Sequence, residues 1–200
     1  MAGFFGKLFG NKKPEIRKLS HPRDLQEGDI IKLSFLDQDD ISGQEFQISQ
    51  VNNYLYDGIS YPELILKGKS SKPISMMVEE EDGEEYLAFS KKLSKSQAVN
   101  LLGEDLDKII KKGTGFKISI TNKPEALEQW LANKYSKTED NVKGSFVKGN
   151  ISENFTSYLL TDSSDEYALE IEKYDSNEIE VSVTIYHDFT AIEEMWPKNL

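Results

Sequence analysis

A two-residue alternation of apolar and polar side chains runs through much of the chain after Gly28, and it limits the possible folds more than any other feature. This period is typical of β-strands that bury one face. It is clearest in residues 31–35, 46–48, 167–171 and 179–185. The sequence therefore predicts a protein built mainly from antiparallel strands.

Turn-forming residues join several of these segments into hairpins. Asp175, Ser176 and Asn177 separate the last two alternating runs, which predicts an antiparallel hairpin with one dry face. Asp82-Gly83 predicts a second hairpin, whose tip in the acidic run 79–85 must lie in water because its like charges repel each other.

Helical signals are confined to the middle of the chain. Ser94 and Gln97 form a capping-box pattern, and the apolar spacing that follows predicts helix up to about Lys112, divided in two by Gly103. A second helix is predicted from Pro124, with an apolar stripe formed by Leu127, Trp130, Leu131 and Tyr135. The polar stretch 136–149 is interpreted as a loop.

Two β-rich portions of the chain resemble each other. In the first part of the alignment, Leu64, Ile65 and Leu66 match Tyr158, Leu159 and Leu160. When the alignment is shifted by one residue, positions 74, 76 and 78 match positions 167, 169 and 171. Either the chain contains an internal repeat, or two alternating meanders look alike by chance.

These patterns together predict an α+β fold, predominantly antiparallel β, with two similar β-rich units bridged by short helices. The units would be barrel-like or sandwich-like meanders. The predicted ranges are a basic aromatic tail at 1–20, a first β-rich unit at 21–93, a helical connector with one strand at 94–135 and a second β-rich unit at 136–200; one compact domain overall is the alternative.

Charge and composition restrict the compartment and the partners. A net charge of −11 argues against nucleic-acid binding, which depends on clustered Lys and Arg. The absence of cysteine fits a reducing compartment, so a cytoplasmic location is expected. The oligomeric state is left open.

The N-terminal segment differs from this acidic body. Residues 1–23 carry six basic side chains against Glu15 alone, and their short apolar patch precedes the charges, the reverse of a secretory leader. On a helix the aromatic residues would share one face beside the bases, a pattern typical of an interfacial anchor. The alternative is a tail that packs on its own body or is disordered. The predicted contact residues for a membrane or a partner are Phe4, Phe5, Lys7, Leu8, Phe9, Lys12, Lys13, Arg17 and Lys18.

Signatures of catalysis are not evident in the sequence. It has no nucleophile elbow, zinc motif or phosphate loop, and His21 and His187 suit surface or edge positions. Acidic clusters at 37–40, 79–85 and 162–166 are interpreted as solvated turns. The prediction is a protein that is not an enzyme, with no catalytic residue, no cofactor and no metal ion.

Three tyrosines are candidates for a binding groove. Tyr54, Tyr56 and Tyr61 cluster around the Asp57-Gly58 turn, and tyrosine combines an apolar ring with a polar tip that suits a peptide or a sugar. The alternative is that they are ordinary strand residues.

The start MAGFFGKLFGNKKPEI, followed by an EGD strand and GQEFQISQV, resembles the opening of the bacterial YjfK-like family of uncharacterised proteins. The resemblance covers about the first ninety residues. It implies a membrane-linked role, since genes similar to a phage-shock-type coat protein are common near members of that family. It implies no catalytic residues.

Two functions follow as expectations. The first is a non-enzymatic accessory or adaptor protein that makes weak contact with the inner membrane surface, or with a membrane-associated partner, through its N-terminal segment. The second is a small-ligand, sugar or peptide-binding protein, or a hydrolase, with a cleft lined by tyrosines and acids between the two β units.

Overall fold

The computed structural model describes residues 17–69 and 72–198, and most of this part of the chain is antiparallel β-strand. The strands have the following bounds: β1 Ile30–Leu33, β2 Glu45–Tyr56, β3 Ile59–Lys67, β4 Ile74–Glu81, β5 Glu84–Lys92, β6 Lys117–Ser119, β7 Lys134–Lys148, β8 Ile151–Thr161, β9 Tyr167–Tyr174, β10 Ile179–His187 and β11 Ile192–Trp196.

Two short α-helices, α1 (Lys95–Leu102) and α2 (Asp105–Lys111), lie between β5 and β6. The Ser94 side chain accepts a hydrogen bond from the backbone of Gln97, whose side chain accepts one from Ser94 in return, so the predicted capping box is confirmed. Gly103 ends α1 with a φ of +50°, as its predicted role as a break requires. Short 3₁₀ turns cover Pro22–Asp24, Glu125–Trp130 and Phe189–Ala191.

All eleven strands form one antiparallel sheet in the order β11-β1-β2-β3-β4-β5-β10-β9-β8-β7-β6. Two four-strand meanders, β2 to β5 and β7 to β10, therefore meet where β5 pairs with β10. They meet again where residues 53–55 of β2 pair with residues 145–147 of β7. This second junction closes the eight strands into a ring, while β1, β11 and β6 extend the sheet beyond it.

The two long strands diverge on either side of this junction. The first half of β2 leaves the ring to pair with β1, and the first half of β7 leaves it to pair with β6. Bulges in both strands accompany the divergence, in β2 between Ile48 and Gln50 and in β7 between Lys137 and Val142. Bulges bend and twist a strand, which lets the sheet close over part of its length and open over the rest.

The apolar core lies on the outer face of the ring. Leu66, Met76, Phe89 and Val183 point outward from consecutive strands and are completely buried. They pack beneath the helices and the extra strands, which contribute side chains such as Ile109. The buried apolar face that the alternation predicts is therefore the outer face of the ring of strands.

Two sequence interpretations of the middle region are wrong. Residues 136–149, expected to be loop, fall almost entirely within β7, because an inner face rich in polar residues and two bulges hide the strand pattern. The helix expected from Pro124 is a 3₁₀ segment that ends at Trp130, and Tyr135 belongs to β7. Its apolar residues Leu127 and Trp130 are nevertheless buried and belong to the apolar core.

The matched segments of the suggested repeat occupy equivalent positions in the two meanders. Residues 64–66 lie in β3 and 158–160 in β8, each the second strand of its meander. Residues 74–78 lie in β4 and 167–171 in β9, each the third strand. Both predicted β-rich ranges, 21–93 and 136–200, contribute strands to the one continuous sheet.

Of the predicted N-terminal contact residues, only Arg17 and Lys18 lie within the described part of the chain; the other seven lie outside it. Arg17 forms an ion pair with the fully buried carboxylate of Asp29, which also accepts a hydrogen bond of 2.9 Å from the backbone N–H of Lys198. Asp29 thereby joins residues near both ends of the described chain. No helix among residues 17–69 and 72–198 has the length and apolar character needed to cross a membrane.

Candidate functional site

A cavity of about 330 Å³ lies within the ring of eight strands. Every strand of the ring contributes to it, and the strand registers place the side chains of all its members except Glu80 on the inner face, opposite the apolar core. Its lining is formed by Tyr54, Tyr56, Tyr61, Glu63, Ser75, Met77, Glu79, Glu80, Ser90, Glu139, Val142, Leu159, Glu170, Ser182, Thr184 and Tyr186.

The three tyrosines that the sequence suggested for a groove are placed together in this lining. The rings of Tyr54 and Tyr56 are stacked with centroids 6.4 Å apart, and Tyr61 meets Tyr56 edge-on at 6.0 Å. Phe155 is almost completely buried, and the centroid of its ring lies 5.7 Å from the ring centroids of both Tyr54 and Tyr56. The aromatic rings therefore form a continuous wall on one side of the cavity, with spacings at which such rings attract each other.

This wall depends on a glycine in the facing strand. A Cβ added to Gly144 of β7 would lie 2.6 Å from the Phe155 ring and 2.8 Å from the Tyr56 ring. Any larger residue at this position must push the rings away from the backbone of β7.

The substitution Gly144→Ala is expected to destabilise the protein by about 1–3 kcal/mol and to displace the tyrosine wall, because overpacking a dense site forces rings from their positions. Urea unfolding measures the first effect, and the near-ultraviolet circular dichroism of the tyrosines measures the second. Gly113→Ala is the control, since an added Cβ there would have its nearest neighbour at 4.0 Å. Equal effects of the two substitutions would contradict the assigned role of Gly144.

Five glutamates from four strands border the cavity: Glu63, Glu79, Glu80, Glu139 and Glu170. Four of them face its interior, whereas Glu80 lies on the opposite face of β4 and forms an ion pair with Arg23 at 3.9 Å. No lysine, arginine or histidine belongs to the described lining. Among the glutamates that face the interior, Glu139 is the exposed one, and it lies toward the end of the ring that carries the β2–β3 and β4–β5 turns. The cavity therefore opens at that end through an acidic mouth.

Two glutamates on the inner face of β9 are held in an unusual electrostatic state. Burial raises the pKa of Glu172 to about 7, and burial raises the pKa of Glu170 well above its ordinary value, helped by the negative charge of Glu172. The two residues are separated by one position on the strand, so their Cα atoms are about 7 Å apart and their side chains point to the same face. At neutral pH this pair carries less negative charge than two exposed glutamates would.

Hydrogen bonds fix the polar groups around these acids. Tyr174 donates to Glu172 Oε2 at 2.8 Å, Asn52 Nδ2 donates to Glu63 at 2.8 Å, and the hydroxyls of Ser90 and Thr184 lie 2.7 Å apart. The other carboxylate oxygen, Glu172 Oε1, is buried and has no hydrogen-bond partner among the described residues. Buried oxygens without a partner are uncommon in folded proteins, so this atom requires an explanation.

The other charged clusters suggested by the sequence are not brought together. Asp162 accepts hydrogen bonds from backbone N–H groups of its own turn, including Tyr167 at 3.1 Å, and Asp40 accepts one from Trp130 Nε1 at 3.0 Å. His21 contacts Glu85 at 3.0 Å, and His187 contacts Gln38 at 3.3 Å. Within residues 17–69 and 72–198, no group of three or more His, Asp or Glu side chains is placed to hold a metal ion.

Sequence reasoning overlooked most of the acids in this site. Glu63, Glu170 and Glu172 alternate with apolar residues along their strands, which is also the pattern of a solvated sheet face, and Glu139 lies in the polar stretch that is interpreted from the sequence as a loop. The one available signal was the resemblance between the two meanders. If both meanders close into one ring, their polar faces must point toward each other.

Comparisons with protein-family models, curated proteins and solved structures give no match for this chain. The interpretation of the site therefore depends on its own geometry, and the resemblance to the YjfK-like family stays a prediction.

Proposed function

We propose that this protein binds a small molecule inside the ring of strands and does not act on it chemically. The observation that carries the proposal is the cavity itself, about 330 Å³ in volume and lined from all eight strands by tyrosines, hydroxyls and carboxyls. Small-molecule sites range from roughly 300 to 1,000 Å³, so this volume suits a small metabolite.

Polar groups in the lining support binding because a closed sheet of this size ordinarily fills its interior with side chains. Here the inner positions of β4, β5 and β10 include the small hydroxyl residues Ser75, Ser90 and Ser182. Small residues leave space, and their hydroxyls can donate and accept hydrogen bonds. This combination fits a ligand with several polar groups.

Binding is favoured over catalysis by the composition of the lining. Its serines have no histidine beside them in the described lining, and Ser90 is hydrogen-bonded to Thr184 at 2.7 Å. A serine nucleophile ordinarily needs an adjacent base within hydrogen-bonding reach.

A thermal-shift screen of small amines, polyols, sugars and carboxylic acids tests the proposal. A ligand at 100 times its Kd stabilises the folded protein by about 2.7 kcal/mol, which gives a clear rise in Tm. Ser75→Trp, which fills the cavity, is expected to abolish the rise. Ser152→Trp, on an exposed position of β8, should retain it. If no compound stabilises the protein, or if Ser75→Trp responds as the unaltered protein does, the proposal is wrong.

The two meanders are proposed to be similar units that each supply half of this site. The equivalent positions of residues 64–66 and 158–160 support this. The predicted membrane or partner contact through the N-terminal segment stays a separate prediction, as does the cytoplasmic location.

A further inference from the structure

We propose that the ligand of this cavity is a small organic cation, whose ammonium group is held by Glu170 and Glu172 against the rings of Tyr54 and Tyr56. The inference rests on the proposed function, because it names the chemical class that the same site binds. Three separate observations support it.

Charge is the first observation. The described lining contains five glutamates and no basic side chain. An anion would have to enter past the exposed carboxylate of Glu139 and would meet no positive group among the described lining residues. A cation is drawn toward such an acidic mouth, because charges of one sign in a cleft raise the local concentration of the opposite sign.

The unpartnered oxygen is the second observation. Glu172 is 5% exposed, and its Oε1 atom has no hydrogen bond of ordinary geometry from any described residue, although the Tyr54 hydroxyl is near enough to lower the pKa of Glu172. Its register partners on the inner face are Ser157 in β8 and Glu180 in β10, so the carboxyl points to the interior of the ring. An N–H donor of a bound ammonium would supply the partner that this oxygen lacks.

Glu170 extends this acceptor site into the cavity. Its side chain lines the cavity, and it takes no hydrogen bond or ion pair from any described residue. Glu63, in contrast, already accepts a hydrogen bond from Asn52. Glu170 is thus a carboxyl within the site that is available to a ligand.

The aromatic wall is the third observation. The stacked rings of Tyr54 and Tyr56 lie on the inner face together with these glutamates. Cations are attracted to the faces of aromatic rings, and the attraction grows when water is excluded. Carboxylates beside tyrosine rings therefore match an alkylammonium group, which has both charge and apolar surface.

Titration calorimetry at pH 7.5 tests the inference with three compounds of similar length. The probes are 1,4-diaminobutane, its neutral analogue 1,4-butanediol and the anion succinate, with tetramethylammonium as a probe that offers no N–H donor. We expect the diamine to bind, and we expect no binding of the diol or of succinate. Glu170→Gln is expected to weaken the diamine at least about tenfold, since it removes a charged hydrogen-bond acceptor.

Two further variants separate a direct role from a loss of structure. Tyr56→Leu should weaken the diamine and tetramethylammonium about threefold, while Tyr56→Phe should not, because only the ring is needed. Glu153→Gln removes one acidic charge from an exposed position of β8 and should change nothing. Circular dichroism and Tm establish that each variant is folded.

The possible failures are distinguishable. If the diol or a sugar binds and Ser75→Trp blocks it, while no amine binds, the proposed function stands and the cation inference is overturned. If Ca²⁺ or Mg²⁺ binds in place of the amines and Glu170→Gln removes that binding, the organic-cation inference is likewise overturned. If no compound of either class binds, both the proposed function and this inference fail.

Discussion

Replacing Lys137 with methionine is expected to lower the free energy of unfolding by about 3 kcal/mol, one of the two largest effects we expect from a single substitution. The Lys137 side chain is completely buried under α2. Its Nζ donates hydrogen bonds to the carbonyl oxygens of Ile109 at 2.7 Å and Lys112 at 2.6 Å, and it forms an ion pair with Asp140. Methionine fills similar space but leaves all three acceptors without this donor.

The physical reason lies at the C-terminus of α2. The last carbonyls of a helix have no partner within the helix and carry partial negative charge, so a buried cation there is favourable. Lys137 also lies 4.6 Å from the centre of the Tyr158 ring. One side chain therefore attaches α2 to β7.

The free energy of unfolding, measured by urea titration, tests this prediction, and Lys111→Met is the control. Lys111 lies on the same helix, but its side chain is 73% exposed, so its replacement should cost less than about 0.5 kcal/mol. A second variant, Lys137→Met with Asp140→Asn, should recover part of the loss because it removes one uncompensated charge. Equal costs for Lys137→Met and Lys111→Met would refute the proposed attachment.

Glu172→Gln is expected to stabilise the protein increasingly as the pH rises from 5 to 8, by up to about 3 kcal/mol. The pKa of Glu172 is about 7 in the folded protein, against an ordinary value of 4.5. Between these two values the folded state binds more protons than the unfolded state, so the free energy of unfolding falls as the pH rises. A pKa shift of this size corresponds to roughly 3 kcal/mol.

Other titratable groups change the free energy of unfolding with pH in a different way from Glu172. Burial lowers the pKa of His187 below 6.5, so its contribution rises with pH in part of the same window. The acids with lowered pKa values, such as Asp162, lose their contribution only at lower pH. The difference between Glu172→Gln and the unaltered protein removes these contributions and reports the Glu172 carboxyl together with its effect on the pKa of Glu170.

The measurement is the free energy of unfolding from urea titrations at half-unit pH steps. Glu153→Gln, on the exposed part of β8, serves as the control and should give a small difference that does not grow across this range. A difference between Glu172→Gln and the unaltered protein that stays constant from pH 5 to pH 8 would contradict a raised pKa for Glu172.

Much of the architecture can be predicted from local chemistry. The alternation in β1, β9 and β10 predicts strands there, and the pairing of Ser94 with Gln97 predicts the start of α1. These signals succeed because each depends on neighbours within a few residues. Where the pattern is interrupted by bulges, as in β7, the same reasoning predicts a loop in place of the longest strand described.

The site is harder to predict because closure of a sheet is a long-range property. Alternation distinguishes the two faces of β9, but it does not tell whether the face with Glu170 and Glu172 meets solvent or the inside of a ring. That depends on three residue pairs between β2 and β7, about ninety positions apart. Tyr54, Tyr56 and Tyr61 could be selected in advance because they cluster around one turn, whereas the glutamates come from distant strands.

The central claim is that the inner carboxyls of β9 form the cation site of a closed sheet. Glutamate side-chain ¹³C chemical shifts, followed by NMR at pH 6.5 during addition of 1,4-diaminobutane, test it most directly. Without the amine, Glu172, whose pKa is about 7, should be largely protonated, and Glu170, whose pKa is raised by burial, should be more protonated than an exposed glutamate. Added amine should move both signals toward the ionised form, because a nearby cation favours the carboxylate, and Ser75→Trp should prevent this change. Signals that are already fully ionised without the amine, or that do not respond to it, would contradict the claim.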